Sequence, residues 1–211
     1  CCGGVIYKNA DNVLVIYVTD GSKGSPRPEE RGRGLALRRM NEAYSALSRL
    51  GVKDKSRVIF LGVEDGSVAK NFAKVYGQLL SVLQRSDITE IYFPSPLDAH
   101  PDHSATGKIV LSVANELSRR RGRKINLFAY NIYKVSTPSF IKSLLTSSYN
   151  LIFWTKLKLT WKRVCIKVDN PRVTMEALEQ HESQVWWMSD ELKALASRDS
   201  ECFYFKSLQP S

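Results

Sequence analysis

The sequence predicts an α/β fold, a Rossmann-like three-layer arrangement with a mostly parallel sheet, and three observations carry that prediction. Short β-branched runs closed by turns alternate with helical periodicities from residue 13 to about residue 133. The first of these runs is apolar on both faces, as a strand buried in a parallel sheet is. A His-Pro-Asp-His turn, His100 to His103, follows another of them directly. That is the strand end where open α/β sheets bind ligands.

The elements follow in order. Residues 13–18 read as a strand ending in Thr19-Asp20-Gly21, and residues 21–28 as a loop long enough to line a site. Leu35, Leu37, Met40, Ala43, Tyr44, Leu47 and Leu50 recur at three- and four-residue steps, which predicts a helix over 29–50 stopped by Gly51. Residues 57–61 read as a strand, 69–85 as a helix and 90–93 as a strand. Residues 105–121 read as a helix and 127–132 as a further strand. Beyond Tyr133 the rhythm changes. Residues 136–149 are polar, 151–168 look like strands or a hairpin, and 173–183 and 184–196 are two helical patterns. No linker separates this part, so one domain over 1–211 is expected, with an α/β core over about 1–133 and C-terminal strands and helices over about 134–211.

Composition excludes several classes. At 211 residues the chain can bury a full core, and 43% apolar with 25% charged residues is ordinary for a soluble globular domain. No apolar run is long enough to span a membrane. The four cysteines lack any CxxC spacing and read as reduced thiols of a cytoplasmic protein. The net charge of +10 suits an anionic substrate, polyanion or membrane surface. Its clusters at 119–124 and 156–167 read first as solvated faces, and no nucleic-acid module accompanies them, so no nucleic-acid partner is expected.

The 98–103 segment holds two of the three histidines. Pro101 suits the first turn of a helix. Residues three apart on that turn face the same way, so both imidazoles point into one space. A metal or an oxyanion there is one reading; a capping arrangement with a solvated His103 is the other. Asp102 either orients an imidazole or is a helix-start acid favoured by the dipole. Arg39 could hold a phosphate or a sugar hydroxyl, or simply pair with Glu42. Asp98 is a candidate sugar-hydroxyl acceptor or a partner behind a ligand. Asp20 and Asp65 read as turn residues, and His181 as structural.

Several motifs stand in order along the chain: Gly3-Gly4, Thr19-Asp20-Gly21, Arg39-x-x-Glu42 and Phe60-Leu61-Gly62 with Asp65-Gly66. Asp98-Ala-His-Pro-Asp-His103, Val168-Asp169 and Ala177-Leu178-x-x-His181-x-Ser183-Gln184 complete the series. In this the chain resembles the PIG-L/LmbE deacetylases, zinc hydrolases that remove an N-acetyl group from glucosamine-containing substrates. The resemblance implies that His103 is a zinc ligand and His100 faces the developing oxyanion. It makes His100 and Asp102 catalytic and leaves Arg39 and Asp98 to the substrate. The substrate implied is an aminosugar conjugate, which the basic charge would suit if it were anionic or lipid-linked, with peripheral membrane contact. The family's first motif, His-Pro-Asp-Asp-Glu, which supplies two further ligands and the general base, would end where this chain opens at Cys1-Cys2-Gly3-Gly4. An incomplete zinc site is therefore expected, together with a missing central strand and poor stability of the 211-residue chain alone. The alternative reading is a catalytically inactive, shortened member that binds a glycan or sugar-lipid.

Overall fold

The computed structural model describes residues 2–132 and 160–209. The expectations for residues 136–149, for Trp154 and for the basic residues Lys156 and Lys158 lie outside them. The chain forms two compact units: residues 1–71 with 165–201, and residues 72–164 with 202–211.

The first unit opens with helix α1 (Gly3–Lys8), strand β1 (Val15–Thr19), helix α2 (Arg33–Arg49) and strand β2 (Val58–Val63). Strands β1 and β2 pair in parallel, Tyr17 opposite Phe60, with α2 as their crossover. Side chains two apart on a strand share a face. Val15, Tyr17, Val58 and Phe60 accordingly meet Ala46, Leu47 and Leu50 of α2 in one core. The Tyr17 and Phe60 rings stack at 4.8 Å, with Tyr44 edge-on to Phe60. Helix α2 ends at Gly51, whose φ of +90° a side chain would oppose. Every residue of β1 is only half-buried, unlike the buried strand expected, because β2 is its one strand partner among the described residues.

From the far end of the chain, helices α5 (Pro171–Glu179), α6 (Glu182–Val185) and α7 (Asp190–Ala196) join this unit. The two helical patterns expected over 173–196 are thus three short helices, broken at His181 and after Val185. Asn170 caps α5 by accepting from the Val173 N–H. The Glu201 carboxylate accepts the Gly4 and Val5 N–H groups at 3.1 and 3.0 Å, closing the start of α1. A Cβ on Gly4 would lie 2.7 Å from Val168 Cγ2, which accounts for the glycine.

The second unit holds helix α3 (Phe72–Leu83), strand β3 (Glu90–Pro94), helix α4 (Pro101–Arg121), strand β4 (Ile125–Tyr130) and most of strand β6 (Ser200–Leu208), while strand β5 (Lys162–Lys167) crosses the division at residue 165. The sheet order is β3-β4-β6-β5, with β3 and β4 parallel and β4 and β6 antiparallel. Strand β6 is absent from the sequence expectations. Its alternation, Phe203 buried beside an exposed Tyr204, is a half-buried strand's pattern in a stretch too close to the chain end to attract attention. Ile109, Val113, Ala114 and Leu117 of α4, together with Ile125, Leu127, Ala129 and Phe203, are buried almost completely. Tyr92 stacks on Phe128 at 4.4 Å across the β3–β4 pair.

The cysteine expectation changes. Cys165 and Cys202 are each disulfide-bonded, not reduced; Cys2 is free, and burial pushes its thiol up to about 12. The basic run at 119–123 is a solvated, ion-paired face. Arg121 donates to the Leu83 and Ser86 carbonyls at the end of α3, Arg119 and Arg120 pair with Glu116, and Arg123 pairs with Asp87. The tryptophans divide: Trp161 is buried, while Trp186 and Trp187 are exposed, with the Arg27 guanidinium 4.4 Å over the Trp186 ring. No described helix is long and apolar enough to cross a membrane.

Helix α4 approaches the end of β3 so closely that a Cβ on Gly107 would lie 2.5 Å from the Pro94 carbonyl oxygen and 2.6 Å from the Pro96 nitrogen. Backbone cannot move aside as a side chain can. Gly107→Ala is expected to cost about 1–3 kcal/mol of unfolding free energy. Gly77→Ala, in open space on α3, should instead gain up to about 1 kcal/mol, both read by urea denaturation.

Candidate active site

The β3–α4 junction is built around one carboxylate. After β3 the chain turns through Ser95, which is fully buried; its N–H donates to the Tyr130 carbonyl and its Oγ accepts from the Leu97 N–H. Ser104 Oγ donates to the Pro96 carbonyl, pinning α4 to the same turn. Pro101 occupies the first turn of α4 as expected, with His100 at the capping position.

Asp98 lies beneath this turn with its side chain wholly out of solvent. Its Oδ1 accepts the His100 N–H at 2.9 Å and meets His103 Nδ1 at 3.1 Å, and its Oδ2 accepts the Ile132 N–H at 2.7 Å. Burial, the largest influence, pushes this carboxyl up. The hydrogen bonds from His103 and the two backbone N–H groups outweigh it and hold Asp98 below the usual aspartate range. An ionised carboxylate can only accept, so His103 Nδ1 carries the proton, and in the neutral imidazole Nε2 is the nitrogen with the lone pair. The Asp98 carboxylate thus lies behind the His103 imidazole, with its side chain out of solvent.

The His100 and His103 rings lie 4.6 Å apart between centroids, tilted by 38°. His100 is exposed and His103 partly so, while Asp102 is buried in the first turn of α4. The pair can present one oriented lone pair and one solvent-accessible imidazole to a bound group. A catalytic zinc takes three protein ligands. Among the described residues no group of three or more His, Cys, Asp and Glu could hold a metal ion, so these residues alone do not complete such a site.

The remaining sequence candidates gather in the first unit. Asp20 Oδ1 accepts from the Ser22 and Asp65 N–H groups, and Asp65 Oδ2 from the Lys23 N–H, so both acids are turn residues as expected. Arg39 directs Nη1 to the Gly21 carbonyl at 2.8 Å and Nη2 to the Gly24 carbonyl at 2.7 Å; its Nε is buried without a partner. It does not pair with Glu42. Glu42, which the sequence offered only as that partner, instead accepts the Ser183 N–H and hydroxyl at 2.8 and 2.6 Å. The signal for it was the spacing of Arg39-x-x-Glu42 on a helix otherwise apolar on its inner face.

A family model described as GlcNAc-PI de-N-acetylase, PIG-L, matches residues 1–114, more than half of the chain. By this match the chain belongs to the PIG-L family of deacetylases. The diacetylchitobiose deacetylase of Thermococcus kodakarensis is 31% identical over 111 residues, which are 50% of this chain and 40% of that protein. The chain thus matches well under half the length of that curated relative. Among solved structures, the N,N′-diacetylchitobiose deacetylase of Pyrococcus horikoshii shares the fold with a TM-score of 0.64 at 19% identity, covering 98% of this chain and 78% of that one. A deacetylase of teicoplanin biosynthesis gives 0.64 at 15% identity, over 100% and 93%. The conserved protein TT1542 of Thermus thermophilus gives 0.61 at 20%, over 100% and 89%.

Two outcomes check this geometry. Asp98→Ala leaves buried N–H donors without an acceptor and should cost about 2–4 kcal/mol. Nitrogen chemical shifts of His103 should then move from the Nδ1–H tautomer toward a mixture, whereas an unchanged tautomer would refute the orienting role. The second concerns His181, whose pKa burial depresses below its ordinary value of 6.5, with Glu42 opposing and Arg39 assisting. The unfolded chain therefore takes up this proton at higher pH than the native one. Stability should fall as the pH drops through 6.5, at no more than about 1.4 kcal/mol per pH unit for one proton. Urea midpoints of the wild type and His181→Gln should converge on acidification; parallel curves would refute the assignment.

Proposed function

We propose that the protein to which this chain belongs hydrolyses the N-acetyl amide of an N-acetylglucosamine-containing conjugate, with zinc as its metal. The observation that carries this reading is the His100–His103 pair at the end of β3, with Asp98 fixing the His103 tautomer. In this reading His103 offers Nε2 as a single metal ligand. His100 donates a hydrogen bond to the oxyanion of the tetrahedral intermediate and then a proton to the departing amine. Asp102, buried in the first turn of α4, orients a ligand imidazole in this reading. Arg39, on α2, contributes to aminosugar binding through the loop after β1 that it holds. An anionic or lipid-linked sugar fits the charge of +10, and such a substrate would bring the protein to a membrane surface. Cytoplasmic placement loses the support of reduced cysteines, since disulfides persist in oxidising compartments.

The test is acetate release from diacetylchitobiose and from N-acetylglucosaminyl-phosphatidylinositol by the protein isolated from its native cells. Release should stop on chelation, return with zinc, and fall at least about a hundredfold in His100→Ala. Sugar binding with no release under zinc saturation would overturn the enzyme reading in favour of an inactive sugar-binding member.

A further inference from the structure

Two motifs that the chemistry at β3 does not use, Arg39-x-x-Glu42 and His181-x-Ser183-Gln184, meet in the first unit. Arg39 and Glu42 stand one turn apart on α2 and so share a face. From that face Arg39 reaches the loop after β1 and Glu42 reaches the turn that opens α6.

Each contact is built closely. The Gly21–Gly24 backbone lies flat against the Arg39 guanidinium: a Cβ on Gly24 would fall 2.2 Å from Nη1, and one on Gly21 2.7 Å from Cδ, with φ at Gly21 of +70°. The loop is laced further by the Asp20 and Asp65 carboxylates and by the Gly32 N–H, which donates to the Ser22 carbonyl. On the other side, the Glu42 carboxylate takes the Ser183 N–H on Oε1 and its hydroxyl on Oε2, which satisfies a helix-start donor that α6 cannot satisfy itself. Arg38 Nε adds a hydrogen bond to Glu42 Oε1 at 3.0 Å. His181 feels the charges of both Glu42 and Arg39.

We infer that Arg39, Glu42 and Ser183 form one brace that sets the loop at 21–25 and the turn at 181–184 as a single unit. Arg39 is then a positioning residue for the loop and does not grip the sugar itself. A guanidinium with Nη1 and Nη2 committed to two carbonyls works through the shape it gives the backbone. The role in sugar binding rests on the proposed deacetylase reading; the brace does not.

Amide hydrogen exchange on the whole chain tests the brace directly. Arg39→Lys can reach only one of the two carbonyls, and Ser183→Ala removes one of the two contacts to Glu42. Each should speed exchange about tenfold or more in both segments, 21–25 and 181–185, and the double variant should exchange little faster than either single one. Arg49→Ala, farther along α2, should change neither segment. Acceleration confined to the segment next to each substitution, or strictly additive effects, would overturn the brace. Kinetics on the native-length protein separate the two proposals. Arg39→Lys should raise KM about tenfold for the aminosugar and leave kcat within about threefold. A loss of kcat with KM unchanged would overturn the positioning role. Coupled exchange without any acetate release would leave the brace standing and sink the deacetylase reading.

Discussion

The site depends on a single buried carboxylate. Asp98 gathers two backbone N–H groups and one imidazole N–H from three parts of the chain: the cap of α4, its first turn, and the residues after β4. A carboxylate without water is costly unless its oxygens are met by donors. Here they are, and that requirement forces the β3–α4 turn, the helix start and the end of β4 into one arrangement. The fully buried Ser95 and the bare flank of α4 at Gly107 serve the same end, allowing backbone to approach backbone where a side chain would hold them apart.

The sequence was most legible where local rules and burial agree. Strands β1 to β4, the long helices α2 and α4, Pro101 at a helix start and Gly51 after a helix end all follow from periodicity and backbone preference. Legibility failed where a partner distant in sequence decides. Nothing local says that Glu42 will leave its neighbour Arg39 and cap a turn 141 positions on, or that a helical pattern over 173–183 will break to receive it. Asp98 was ambiguous for the same reason, because its role is set by Ile132 and the fold of the turn. The metal chemistry implied by the family resemblance is legible only in part, since His103 is a single prepared donor.

Charge was the least informative composition signal. A surplus of ten positive charges suggests a surface waiting for an anion. Yet several arginines are engaged with backbone carbonyls: Arg39 on a loop, Arg121 on Leu83 and Ser86, Arg31 on Ser25, and Arg57 on Asp11. Arginine suits this work because its planar donors reach two acceptors at once. These arginines help hold the backbone, a role that charge counted along the sequence does not reveal.

The first unit is discontinuous, with residues 1–71 completed by residues 165–201. Translation runs at roughly 5–20 residues per second, so on the order of ten seconds pass between the emergence of Glu42 and that of Ser183. Through that interval α2 and the β1–β2 pair wait with their facing apolar surface uncovered and α1 without the carboxylate of Glu201. A chaperone that shelters nascent chains would find its natural client in that half-built state. Arrival of the 165–201 segment, not the first collapse, is the moment at which the brace can close.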